Sequence, residues 1–398
     1  MWGDYLALAG FVLSASLLVY HHALYPLLLN QLAKRCQQAL PDIPQRGWQA
    51  TAEDATYPSV EILMPAYNEA EHIAAKLRNL AQLDYPQGRW HVVLLCDGCS
   101  DNTATLAEAV AREPECQDLP LVIRDYADNR GKIYRINQAM AQAQAELVLF
   151  TDVSALLPID SLLAVTAHFA ANPVGAVSLG YHLMQPSSDG EQTYWRYQSA
   201  IKQQESLLGC VQGAHGAGWA MRRSLYKPLP ADTINDDFIL PMQVAAQGYQ
   251  VVYEPRLRSL ELECIDALSE QRRRRRIAAG NTQQIGRLRA LLNPRLGASA
   301  FMFFSGKVLR VLMPYCLLAM LVCNGLLLSL GYLPKLLFLM QISGYGLFIA
   351  LNLLPQFPPH KLLRVINYLL LGHWANLIGS VRYLTGLQRG AWQRAKEV

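Results

Sequence analysis

The stretch VEILMPAYNEAEHIAAKLRNLAQLDYPQGRWHVVLLCDGCSDNT, Val60 to Thr103, decides the architecture. Val60 to Pro65 is a short apolar run that reads as a buried strand, and Glu69 to Leu80 has apolar residues at helical spacing. Val92 to Asp97 is a second buried run, followed by a helix from Asp101 to Arg112. The pattern continues through Leu121 to Arg124, Ile133 to Ala143 and Leu147 to Asp152. Strands alternating with helices place the chain in the α/β class, with a mostly parallel, Rossmann-like sheet and binding residues at the carboxyl ends of its strands. A dinucleotide-dependent redox enzyme would need GxGxxG after the first strand, where PAYNE stands instead.

Four turns fall at that edge. Pro65 to Glu69 (PAYNE) follows the first strand, and Asp97 to Thr103 (DGCSDNT) follows the second and offers a cap to the next helix. Asp128 to Lys132 (DNRGK) sets Arg130 and Lys132 beside a glycine that opens backbone amides to an anion, and Thr151 to Ser154 (TDVS) ends a buried run on an acid. Acidic and basic groups together at one edge suit a nucleoside diphosphate with a divalent cation. Farther on, GAHGAG (213–218) precedes the acidic pair Asp236 and Asp237. Pro241 has no N–H and belongs in a first helical turn, so the pair is expected at or just before a helix N-terminus with Asn235 as its cap. The two carboxylates serve either as helix caps or as a general base with its neighbour.

Of the 398 residues, 52% are apolar and 17% charged, and most of the apolar excess lies at the two ends. The formal charge of +4 is too small to point to nucleic acid, and its basic residues cluster beside apolar segments, where they set membrane orientation. Tyr5 to Leu29 is long enough to span, with no evident cleavage site, and Lys34 and Arg35 after it mark the cytoplasmic side. Val308 to Leu330 and Leu333 to Leu354 are two further spans. Leu362 to Tyr383 is long enough to cross but holds Arg364, Asn367, His373, Asn376 and Arg382, so it either crosses or lies in the interface. The basic residues Arg389, Arg394 and Lys396 follow it. Cys96 and Cys99 form a CxxC without a second pair or a nearby histidine, which reads as a strand end and turn rather than a metal or redox site.

In this order PAYNE, CDGCSDNT, DNRGK, TDVS, GAHGAG and NDD resemble glycosyltransferase family 2, over roughly residues 60–280. The resemblance is to inverting enzymes of the GT-A fold, in the membrane-embedded branch of cellulose, chitin and hyaluronan synthases and ceramide glucosyltransferase. It implies Tyr67, Glu69 and Asp97 at the base and ribose of a nucleotide-sugar donor and Lys132 near its diphosphate. Asp152 matches the first Asp of the DxD metal motif, for Mg²⁺ or Mn²⁺, with Ser154 in place of the second. Asp237 matches the general base, with Asp236 beside it, and Gly213, His215 and Gly216 lie near the acceptor. Gln271 and Arg274 keep the spacing of the family's QxxRW, and Arg275 stands where Trp belongs; these residues are expected at the acceptor and diphosphate. Five consecutive arginines, Arg272 to Arg276, cannot all face one site on a helix, so Arg272 or Arg275 faces phosphate while others face anionic lipid.

The expectation is an α/β GT-A catalytic domain inserted between N-terminal and C-terminal transmembrane helices. The segments are a first span (1–35), a connector (36–57), the catalytic domain (58–265), a basic interfacial helix region (266–300), C-terminal transmembrane or interfacial helices (301–385) and a basic tail (386–398). Such a protein is a multi-pass enzyme of the inner membrane with a cytoplasmic active site. It transfers sugar to a lipid-linked or glycan acceptor in cell-envelope or exopolysaccharide synthesis, alongside partner proteins of that pathway. Two alternatives stay open: a processive synthase, which the absent Trp and few spans disfavour, and a catalytically silent scaffold of the same fold.

Overall fold

The first strands carry Val, Ile and Leu on both faces, and a sheet of such strands folds only if helices cover both sides. In the computed structural model, which describes residues 2–36, 39–170, 173–184, 189–263, 267–353 and 360–388, helices do so. The strands are β1 (Val60–Ala66), β2 (Trp90–Asp97), β3 (Leu121–Tyr126), β4 (Leu147–Phe150), β5 (Ala155–Leu156), β6 (Val174–Leu183), β7 (Trp219–Arg222) and β8 (Gln250–Glu261). They form one sheet in the order β3-β2-β1-β4-β7-β6-β8-β5. β3, β2, β1 and β4 run parallel, β7 is antiparallel to both neighbours, β6 and β8 are parallel, and β5 is antiparallel to β8. The fold is the mixed α/β, mostly parallel GT-A type, with apolar helices flanking it at both ends of the chain.

Register places the turns side by side. Ala66 at the end of β1 lies opposite Cys96 of β2, and Phe150 at the end of β4 lies opposite Leu63 of β1. The first helix starts at Ile73 rather than Glu69, because Asn68 adopts a left-handed φ of 55° and keeps the chain in a turn. The Asn68 side chain then ties PAYNE to the next turn: its Oδ1 accepts from Ser100 N at 2.8 Å and its Nδ2 donates to Ser100 Oγ at 3.0 Å.

Two apolar layers sandwich the sheet. One packs Ile73, Leu77, Leu80, Val110 and Leu162 from three helices against β1 and β2. The other holds Ile136 and Met140, then Phe238 to Leu240, and reaches into the apolar helices through Tyr25, Leu29, Met302 and Phe303. Leu29, Met302 and Phe303 are wholly buried, so the sheet domain and the apolar helices share one core.

Among the described residues three helices are long and apolar enough to cross a membrane: Trp2–Ala33, Ala298–Leu326 and Tyr332–Leu353. The second starts at Ala298 rather than Val308, because the run Phe301 to Phe304 continues the helix through a wider turn at Phe304–Val308. The fourth apolar segment is a helix, Lys361–Leu384, which is not one of these three. It packs along the arginine-bearing helix Ala267–Arg287, with the Arg274 guanidinium 4.1 Å from the Tyr368 ring centre, and Tyr315 bonds its Ser380 at 2.6 Å. Asn352 donates to Asn367 at 2.9 Å, a helix-to-helix bond of the kind expected for these amides. The basic residues Arg389, Arg394 and Lys396 lie outside the described residues.

Candidate active site

Asp236 opens the helix Asp236–Ala246, as expected, but Pro241 is inside that helix rather than in its first turn. A proline there cannot donate to the carbonyl four residues back, which is that of Asp237. The backbone N–H of Ala214 takes that carbonyl instead, at 2.9 Å, and fastens the GAHGAG turn to the acidic pair. Asn235 occupies the cap position without capping; its Nδ2 donates to Ile277 O at 3.1 Å and so ties the helix start to the arginine helix. Glycine is required twice in the turn: Gly213 has φ of 82° against the Phe238 ring, and a Cβ on Gly216 would collide with Asp152 Oδ2. Asp152 N donates to Gly216 O at 3.0 Å, so one short turn is bonded to both acidic segments.

The result is a cleft of about 1030 Å³ at the carboxyl edge of the parallel strands. Lys132 sits in it with Nζ 3.1 Å from Asp152 Oδ1 and 3.3 Å from Asp236 Oδ2. Burial opposes a charged lysine there, but Asp152, Asp236 and Asp237 outweigh it and hold the ammonium above its ordinary value. The Asp152 carboxyl is pushed up by burial but more strongly pulled down by Lys132, Lys76 and Arg273, and stays ionised. Asp237 behaves oppositely: burial first and the Asp236 charge second raise it to about 6, against the pull of Lys132. Lys76 reaches under the TDVS turn to Thr151 Oγ1 at 2.7 Å, and burial brings it down to about 7 against the pull of Asp152 and Glu261.

Glu69, Lys132, Asp152, Ser154, His215, Gly216, Asp236, Asp237 and Arg275 all line this cleft. The other expected positions lie elsewhere. Asp97 is 0% exposed: its carboxylate accepts from Arg130 N at 3.0 Å, Gly131 N at 2.7 Å and Arg135 Nε at 2.6 Å, which makes it the clamp of the DNRGK loop rather than a cleft wall. Tyr67 is half-buried in the PAYNE turn, outside the cleft lining. Gly213 is behind it, its carbonyl accepting from Lys202 Nζ at 2.6 Å. Gln271 is exposed, and Arg274 points away to Glu270 at 2.6 Å and to Tyr368. The cleft faces of that helix are instead Arg272, Arg273, Arg275 and Arg276.

Tyr181, Trp195, Lys202, Glu261 and Lys307 also line the cleft, and motif spacing singled out none of them. Tyr194, Gln198 and Lys202 recur every fourth residue on the helix Asp189–Leu207, a periodicity that would have found that wall. Burial and Asp152 hold the buried carboxyl of Glu261 above its ordinary value. Among the described residues no three His, Cys, Asp or Glu side chains group to hold a metal ion. Asp152, with its side chain 41% exposed, would offer a divalent cation a single hard-oxygen ligand, the remaining partners being phosphate and water.

Residues 61–229 match the family described as glycosyl transferase family 2. The chain carries a glycosyl transferase family 2 domain. It is 27% identical over 205 residues to a poly-beta-1,6-N-acetyl-D-glucosamine synthase of Staphylococcus epidermidis, which covers 50% of this chain and 48% of that one. It is 28% identical over 230 residues to a beta-monoglucosyldiacylglycerol synthase of Trichormus variabilis, covering 54% and 48%. The chain thus spans about half the length of these curated relatives. A solved mannosyltransferase from Pyrobaculum calidifontis, in complex with GDP-Man and Mn²⁺, superposes with a TM-score of 0.70 at 23% identity, covering 95% of this chain and 100% of that one. That likeness establishes the GT-A fold.

Asp97 and Arg135 form a buried ion pair, with side chains 0% and 3% exposed, so Asp97→Ala leaves a buried guanidinium without its main partner. We expect a loss of about 3–5 kcal/mol in denaturant unfolding. A change below about 1 kcal/mol, as for a surface pair, would refute the clamp.

Proposed function

We propose that this family 2 domain transfers a sugar, with inversion, from a nucleoside-diphosphate sugar to a lipid-linked or glycan acceptor at the membrane surface, in cell-envelope glycan or glycolipid synthesis. The observation that carries this reading is the juxtaposition of a base-like Asp237, raised to about 6, with the Lys132 ammonium and the arginine-lined wall of one cleft. The two curated relatives, a polysaccharide synthase and a glycolipid synthase, support the same class of chemistry.

The chemistry assigns each group a part. Asp237 accepts the proton of the acceptor hydroxyl as that oxygen bonds the anomeric carbon, and the bond from that carbon to the diphosphate oxygen breaks with its electron pair leaving on phosphate. Lys132, with Arg272, Arg275 and Arg276, faces the negative charge that gathers on the departing diphosphate. Asp236 holds Lys132 in place and raises its neighbour's affinity for the proton. A divalent cation held by Asp152 would add Lewis-acid neutralisation of the diphosphate. Gln271 and Arg274 have no part in this assignment, since neither lines the cleft.

The membrane setting follows from the shared core. Tyr25, Leu29, Met302 and Phe303 join the apolar helices to the helix that bears Asp237 in one core, which supports a cleft close to the bilayer surface. Lys34 and Arg35 at the end of the first helix favour the cytoplasmic side for that surface. The packing of the helix Lys361–Leu384 along the arginine helix favours an interfacial position for it.

In a screen of nucleotide sugars scored by nucleoside diphosphate release with added lipid or glycan acceptor, Asp237→Asn should bind donor but transfer about 10²–10⁴-fold more slowly. Transfer at the wild-type rate would place the base elsewhere. The base must be ionised to act, so kcat/KM should rise with pH through an acid limb near 6 and fall about tenfold per pH unit below it. In Asp236→Asn, without the neighbouring charge, that limb should move to lower pH; a limb that stays in place would dissociate it from Asp237.

A further inference from the structure

The cleft has two kinds of wall. One is ionic, made of Lys132, the arginine helix and the carboxylates; the other is aromatic. Tyr181 of β6 and His215 of the GAHGAG turn stack with ring centres 5.0 Å apart and planes at 23°. Trp195, from the helix Asp189–Leu207, meets Tyr181 at 4.7 Å and His215 at 5.3 Å. Burial, together with Lys202, Lys307 and Arg273, holds the His215 imidazole well below its ordinary range, so the ring is neutral and its face can serve as an apolar surface.

The position of this cluster is fixed by the backbone. His215 lies between the bond from Ala214 N to Asp237 O and the bond from Asp152 N to Gly216 O, and all three rings line the cleft that holds both acids. In an inverting displacement the incoming hydroxyl and the leaving diphosphate lie on opposite sides of the reacting carbon. The Ala214 bond sets this ring surface beside the base, on the acceptor's flank of the reacting carbon, while the Gly216 bond keeps it within reach of the donor's acid; the nucleoside, which lies beyond the diphosphate, is farther away. A pyranose presents one face of C–H groups and a rim of hydroxyls; its C–H face packs on the electron-rich face of an aromatic ring while the rim stays free to meet a carboxylate.

We infer that Trp195, Tyr181 and His215 form a subsite for a sugar ring of the acceptor, so that the acceptor is a saccharide or glycolipid rather than a lipid alcohol without sugar. This rests on the transferase reading above and narrows it. Trp195 acts here as a positioning and specificity residue: it sets which hydroxyl reaches Asp237.

The test uses the full-length protein in detergent, titrated with methyl β-D-glucoside, methyl α-D-mannoside and N,N′-diacetylchitobiose, with UDP and GDP as comparators, and read by tryptophan fluorescence and by calorimetry. At least one saccharide should bind and perturb the fluorescence. Trp195→Ala should weaken that binding about tenfold or more, while Trp195→Phe should keep it within about threefold and lose most of the fluorescence change. Trp48→Ala, an exposed indole outside the cleft, should behave as wild type. The subsite is overturned if no saccharide binds wild type, if Trp195→Ala and Trp195→Phe both bind as wild type does, or if only the nucleotides perturb Trp195. Release of nucleoside diphosphate from nucleotide sugars, measured on the same samples, separates the two readings. Donor turnover without Trp195-dependent saccharide binding removes the subsite alone, and absence of turnover with every donor removes the transferase reading.

Discussion

A single backbone bond holds the site together. Pro241 has no N–H to give to the carbonyl of Asp237, and Ala214 takes its place from outside the helix at 2.9 Å. Any other residue at this position would offer an N–H that competes with Ala214 for the same carbonyl. With the anchor, Gly216 lies against Asp152, His215 is directed at Tyr181, and the acid at the start of a helix meets the acid at the end of β4. Carboxylates from segments far apart in sequence thus share one cleft.

Bringing three carboxylates together in a partly buried space costs free energy unless cations enter with them. Lys132 is the nearest of these, between Asp152 and Asp236. Its place depends in turn on the DNRGK loop, which Asp97 grips from below through two amides and Arg135. One acid is thereby held ionised beside the lysine, while Asp237, buried and next to another negative charge, is left with proton affinity close to neutrality. That division of roles between adjacent carboxylates is what acid–base chemistry on a hydroxyl requires.

The parallel sheet and its turns were legible in the sequence because buried strands and amphipathic helices repeat strongly from Val60 to Asp152. The helix start at the acidic pair was also anticipated, although Pro241 lies inside the helix rather than in the first turn from which that start was inferred. Side-chain direction was less legible. Asp97 sits at a strand end like the other turn acids, yet it faces inward, and only the loop folded beneath it shows why. QxxR spacing paired Gln271 with Arg274, whereas the turn of the helix presents Arg272, Arg275 and Arg276 to the cleft. Asn235 holds the capping position but bonds the arginine helix, because that helix packs close enough to compete with its own backbone. The aromatic wall joins Tyr181, Trp195 and His215 from three separate elements, and no local pattern announces such a meeting.

On the proposed function, the cleft around Lys132, Asp152 and Asp237 binds an activated sugar through its diphosphate. The most direct measurement is an experimental structure of the full chain with a nucleoside diphosphate and Mn²⁺, with manganese located by anomalous scattering. The account predicts diphosphate beside Lys132 and the cleft-facing arginines, with manganese at Asp152. Nucleotide bound outside this cleft, or manganese away from Asp152, would contradict it.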